Sequence, residues 1–215
     1  GFVTGIHVST SKNLKIGDWI GIPKYNIEGN IQDINLLTTK IVNFDKTIST
    51  IPTYDLLSTE IRNHQVMYEG SSRRIKRSIY FNIKSFKFVD DEFYEKVKDI
   101  NLISEYLDRK LREIAESKKN IPHAERIING QQLTNIGLFR NYVLNYLKNN
   151  PKVDQDEIVL VRQLEISPQG MPLEIYCFAN KAELVDYERI QADIFDHILT
   201  AAQEFDLEIM QVAKA

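Results

Sequence analysis

Near the end of the chain, Asp193, Asp196 and His197 have the residue types of a metal-binding group. Asp193 and His197 lie one helical turn apart, so both side chains would leave the same face and could share a cation. A closed site needs a fuller ligand set, and the other histidines, His7, His64 and His123, are widely scattered. An acid and a histidine at this spacing also form an ordinary solvated pair, so no metal is expected. The lone Cys177 permits no internal disulfide, and its apolar surroundings from Ile175 to Ala179 predict a buried core residue rather than a reactive thiol. The acid pairs Asp90-Asp91 and Asp156-Glu157 stand where helix starts or loops favour carboxylates. A glycine-rich phosphate loop and a G-x-S-x-G elbow are both missing from the sequence. The reading is therefore of a protein that is not an enzyme, with no catalytic residue, no cofactor and no metal.

Charge is distributed more tellingly. Between Arg62 and Phe88 there are seven basic residues against one acid, Glu69; between Asp90 and Glu116 there are nine acids against five bases. The densest basic run is Arg73, Arg74, Lys76 and Arg77, inside a stretch that alternates like a strand. There Arg73 and Arg77 share a face with Ile75, while Arg74 and Lys76 point the other way. One reading pairs this strand with the acidic helical stretch after it. A second is an RNA-binding module, with Tyr80 and Phe81 available to stack on bases. The net charge of -3, the pI near 5.9 and the lack of an RNP-type motif argue against nucleic acid as a partner. A third is a ligand-sensing regulatory domain, since the fold read below hosts many functions. A fourth has the charges meet a neighbouring subunit or line an aqueous cavity.

The elements that must position these residues fall into two groups. The stretch from Asn13 to Pro52 holds roughly four short strands, with a turn over Tyr25–Gly29 and a hairpin joint at Asp45. Tyr54–Leu57 and Thr59–Ile61 offer one more short strand, and Gly70-Ser71-Ser72 marks a boundary. Beyond it the order is a strand from Arg73 to Ile83, a helix with Phe93, Val97 and Ile100 on one face, and a further helix carrying Tyr106, Leu107, Leu111 and Ile114. A polar loop over Glu116–Asn129, a helix from Ile136 to Leu147, a hairpin of Ile158–Ile166 with Pro172–Ala179, a helix over Asp186–Glu204 and a last strand, Leu207–Val212, follow. The expected fold is α+β: a small Sm-like or SH3-like β-barrel domain over 13–70, then a ferredoxin-like βαββαβ domain over 71–215 with a helix inserted in the first crossover. With 43% hydrophobic and 27% charged residues, 215 residues suffice for both cores. There is no run of about 18 apolar residues and no signal peptide pattern.

The segments Ile16-Gly17-Asp18-Trp19-Ile20, Glu28-Gly29-Asn30-Ile31, Thr38-Thr39 and Thr50-Ile51-Pro52 resemble the cytoplasmic β-domain of the small-conductance mechanosensitive channel (MscS) family. Lys40–Ile48, Arg73–Arg77, Leu133–Gly137, Pro172–Phe178 and Ile190–His197 extend the likeness, nearest to the miniconductance (YbdG-type) branch. One departure is Thr53, where many members carry Asn after the proline. The resemblance implies a homoheptameric channel of the bacterial inner membrane that opens under tension and releases ions and small solutes in hypo-osmotic shock. This portion would face the cytoplasm, with its permeant ions and lipid contacts reached through membrane helices outside it, and Arg73, Arg74, Lys76 and Arg77 would sit at a subunit interface or on the vestibule wall. The start at Gly1 suggests an excised piece, which alone could be monomeric. Residues 1–12 would be the end of a pore-lining helix, with Gly1 and Gly5 at a helix-packing spacing. A further vestibule-closing strand is left open.

Overall fold

The structure, a computed structural model, describes residues 14–211. Gly1, Gly5 and Val212 lie outside the described residues. The chain divides into two compact units, Gly1–Ser71 and Ser72–Ala215.

In the first unit, Gly17 takes a positive φ of 94° and lets the chain fold back before β1 (Trp19–Ile22). The Asp18 carboxylate closes that turn by accepting from the Lys15 backbone N–H at 3.0 Å. A short turn of helix, Pro23–Tyr25, and left-handed Asn26 lead into β2 (Ile27–Ile34). β3 (Thr38–Asn43), β4 (Ile48–Pro52) and β5 (Arg62–Asn63) complete an antiparallel sheet in the order β4-β3-β2-β1-β5. Among the described residues no ladder joins β4 to β5, so the small barrel is partly open. Its core gathers the strand residues Ile20, Ile22, Ile31, Ile41 and Ile51 with Leu14 and Leu56 from outside the strands.

Two local expectations are corrected. Gly29, read as part of a turn, lies inside β2, where a Cβ would stand 2.1 Å from the Val42 carbonyl oxygen. Glycine is required there by the close approach of β3, beside a register shift between Ile31 and Asp33 that bends the sheet. The segment after Pro52 forms a helical turn, α1 (Asp55–Ser58), rather than a strand, because Thr53 is fully buried and holds the chain in a bend. Its hydroxyl donates to the Asn35 carbonyl at 2.8 Å and so accepts from Thr39 Oγ1 at 3.0 Å. Gln65–Glu69 adds a second short helix, α2, which the sequence pattern did not announce.

In the second unit β6 (Arg73–Phe81) leads to α3 (Asp91–Val97), capped by Asp90 accepting from the Phe93 N–H at 2.8 Å. α4 (Ser104–Lys118), a loop over 119–134, α5 (Asn135–Lys148), β7 (Leu160–Gln163), β8 (Met171–Ala179) and α6 (Leu184–Ala201) follow. The sheet runs β6-β8-β7, antiparallel throughout. The expected final strand shortens to a bridge between Ile209 and Phe81 on the free edge of β6. Counting that bridge, the segments lie in the order fourth, first, third, second, as a ferredoxin-like fold requires.

One face of this sheet is covered by helices. Ile75, Ile79, Phe81, Leu173, Ile175 and Cys177 pack against Phe139, Val143 and Leu147 of α5 and Ile190, Ile194 and Ile198 of α6. Burial pushes the Cys177 thiol up to about 12, which leaves it protonated and unreactive at neutral pH. Asn135 is the buried polar exception. Its Nδ2 donates to the Ser85 and Phe205 carbonyls at 2.9 and 3.0 Å, and its Oδ1 accepts from the Lys87 N–H at 3.0 Å. Nearby, Lys87 and Lys96 both bind the Asp206 carboxylate, at 2.8 and 2.5 Å.

Two outcomes follow from this packing. Gly29→Ala should destabilise the first unit by about 3 kcal/mol, since the β2–β3 backbones must separate. Trp19, the single tryptophan, reports that transition by fluorescence in urea. In the second unit, hydrogen bonds from Lys87 and Lys96 hold the Asp206 carboxyl below its ordinary 3.8. A lowered carboxyl contributes stability above its unfolded value and loses it as pH falls through the folded one. Asp206→Asn tolerates the same left-handed backbone and should cost about 1 kcal/mol or less at pH 7, because all three side chains are near 40% exposed. The difference from the unsubstituted chain should shrink as pH falls from the ordinary 3.8 through the lower folded value, in urea titrations followed by circular dichroism.

Candidate interface on the basic strand

The basic strand β6 pairs with β8 in a continuous register, from Arg73 opposite Ala179 to Phe81 opposite Met171. Because successive side chains alternate, burial of Ile75, Ile79 and Phe81 commits Arg73 and Arg77 to the helix-covered side and Arg74 and Lys76 to the other. The four cations therefore do two different things.

Arg73 and Arg77 lie along the flank of α6. The Arg73 guanidinium sits 4.3 Å from the centre of the Tyr187 ring and donates to the Ala182 carbonyl at 3.4 Å. The Arg77 guanidinium lies 4.3 Å from the centre of the Phe195 ring. Both are cation–π contacts that tie the strand to the helix. The Tyr187 hydroxyl donates to the Arg74 carbonyl at 2.9 Å, and burial pushes that phenol up.

Arg74 and Lys76 open onto the helix-free face, and neither has an acidic partner among the described residues. The acidic stretch after them does not neutralise them. The acids in it that form ion pairs do so with local bases, as Glu95 with Lys98 and Glu113 with Lys110. Opposite Arg74 and Lys76 stand Phe178 and Tyr176, with the Arg74 guanidinium 5.9 Å from the Tyr176 ring centre. Tyr80 and, from β7, Leu160 extend this surface. At its middle Arg162 sends Nε and Nη2 to the same oxygen of Glu174, each at 2.8 Å. Glu174 is only 6% exposed and its charge is cancelled within the sheet. The face that remains is aromatic, aliphatic and cationic.

Sequence reasoning found the cations but not Tyr176, Phe178, Leu160 or the Arg162–Glu174 pair. A signal was present: Met171–Ala179 carries large apolar residues at both parities, which marks a central strand with two demanding faces. The metal-like group is otherwise engaged. Asp193 binds Lys152 at 2.9 Å, and His197 stacks on Tyr146 with ring centres 4.1 Å apart while its Nε2 meets the Tyr142 hydroxyl at 2.7 Å. Among the described residues no cluster of three or more His, Cys, Asp or Glu side chains is placed to hold a metal.

Removing Arg162 would strand the buried Glu174 carboxylate. Arg162→Leu should cost about 2 kcal/mol, less than a fully buried pair because Arg162 is half exposed. The double change Arg162→Leu with Glu174→Leu should recover most of it, and urea unfolding of the second unit measures both.

Comparison with known proteins places this geometry in a family. Two family profiles match in order: the mechanosensitive ion channel β-domain over residues 1–66, and the MscS C-terminal domain over 104–209. The low conductance mechanosensitive channel YnaI of Escherichia coli is 24% identical over 202 residues, 94% of this chain and 44% of its own length. The channel MscMJ of Methanocaldococcus jannaschii is 34% identical over 62 residues, 29% of this chain and 17% of its own. The chain thus spans less than half the length of these curated relatives. Among solved structures, Arabidopsis thaliana MSL1 aligns with a TM-score of 0.62 at 15% identity, over 98% of this chain and 57% of that one. Helicobacter pylori MscS in its closed state aligns at 0.56 and 15% identity, over 99% and 63%. Nothing in these comparisons supports the RNA-binding alternative. The chain belongs to the MscS family of mechanosensitive channels and carries that family's β-domain followed by its C-terminal domain.

Proposed function

We propose that this chain is the cytoplasmic portion of a mechanosensitive channel subunit, which opens under membrane tension and passes ions and small solutes during hypo-osmotic shock. The observation that carries this reading is the pairing, in family order, of both channel-family domains on one chain. No helix among the described residues is long and apolar enough to cross a membrane. Opening follows from the different free energies of two conformations under tension.

The channel is a ring of seven identical subunits in a bacterial inner membrane. The helix-free sheet face of the second unit meets a neighbouring subunit within it. Its aromatic and aliphatic content favours that role over a purely aqueous wall, and Arg74 and Lys76 supply orientation at the rim. The domain limits of 13–70 and 71–215 are part of the same proposal.

Light scattering of the chain across a concentration series, and of the full-length protein in detergent, tests the assembly. Arg74→Glu with Lys76→Glu should weaken self-association about tenfold or more and reduce survival of osmotic downshock by cells relying on the full-length channel. If assembly holds while conductance changes, the face lines the vestibule instead. Unchanged assembly and unchanged conductance together would sink both roles for these charges.

A further inference from the structure

A groove runs between α4 and the start of α5. Its volume is about 430 Å³, in the range of small-molecule sites. Tyr106, Lys110 and Ile114, one face of α4, line it together with buried Leu133 and exposed Arg140. Arg140 has no acidic partner among the described residues. Lys110 is shared with Glu113 at 2.5 Å, so a ligand must draw chiefly on Arg140. The helix terminus offers little. Thr134 Oγ1 already accepts from the Gly137 N–H at 3.1 Å, and Asn135 Oδ1 from the Ile136 N–H at 2.9 Å. Side chains, not free backbone amides, must hold an anion here.

A second cavity of about 250 Å³ continues from the first and shares Ile114, Gln132 and Leu133 with it. Its remaining walls are chiefly Val89, Tyr94 and Leu111, with Asp90 and Asp91 at its edge. The combined groove is therefore polarised: a cationic end, an apolar middle and an acidic far end. An inorganic anion would leave the apolar part unused, and a neutral apolar molecule would leave Arg140 unused. The acids repel an anionic group from their end, which fixes direction.

We infer that this groove binds a small amphiphilic carboxylate, its acid group on Arg140 and Lys110 and its apolar body along Ile114 and Leu133 toward Leu111. The inference does not depend on the channel reading, because it concerns one face of the second unit alone.

Calorimetric titration of the chain with hexanoate, hexanamide and inorganic phosphate at constant ionic strength tests it. Hexanoate should bind saturably, and hexanamide and phosphate about tenfold more weakly or worse, as loss of a charge-assisted contact or of the apolar contact requires. Arg140→Ala should lower hexanoate affinity about tenfold, with Arg140→Lys recovering part of it. Leu111→Ser should weaken hexanoate but leave phosphate unchanged. Arg140 and Leu111 are both exposed, and circular dichroism verifies the fold of each variant. No saturable hexanoate binding, equal binding of phosphate, or indifference to Arg140→Ala would each overturn the inference.

Discussion

The register between β6 and β8 is the constraint on which the second unit's chemistry depends. Nine consecutive residue pairs align the two strands, and the two-residue period leaves no freedom in which side chains face the helices. A slip of one position would bury Arg74 and Lys76 under α5 and α6 and expose Ile75 and Ile79. Burying unpaired cations costs far more than the hydrophobic contacts could offset, so the register is strongly specified. The same alternation divides four cations of similar sequence context into two that brace a helix through aromatic rings and two that remain open.

Polar residues finish what the apolar core begins. The Asn135 carboxamide binds the segment after β6, the start of α5 and the turn at Phe205 in one network. Each of these partners is a backbone group, and the bond to the Phe205 carbonyl is buried. The Asp206 pairs with Lys87 and Lys96 reinforce the same junction from the solvent side. In the first unit Thr53 plays a comparable part: its hydroxyl donates to the Asn35 carbonyl and accepts from Thr39 Oγ1.

How much was legible in the residues varied with the range of the interaction. Four strands in the first unit, the turn at Asp45, the cap at Asp90 and the order of helices and strands beyond Ser72 all rest on near neighbours in sequence. They could be read from alternation, helical spacing and turn residues. Gly29 was misread because its need for a missing Cβ comes from Val42 on the facing strand, which no local pattern reveals. The strand read over Tyr54–Leu57 failed because a buried hydroxyl pair between Thr39 and Thr53 bends the chain there. The final strand narrowed to a bridge at Ile209.

By itself the sequence determined the fold class, the family resemblance and the presence of a basic strand beside acidic helices, because periodicity, composition and motif are properties of neighbouring residues. Only the tertiary structure decided that Arg73 and Arg77 lie over Tyr187 and Phe195, that Arg74 and Lys76 share a face with Tyr176 and Phe178, and that Arg162 neutralises Glu174. Those partners come from strands and helices roughly a hundred residues apart in some cases. Their meeting is set by sheet register and helix packing, long-range constraints that no local segment encodes.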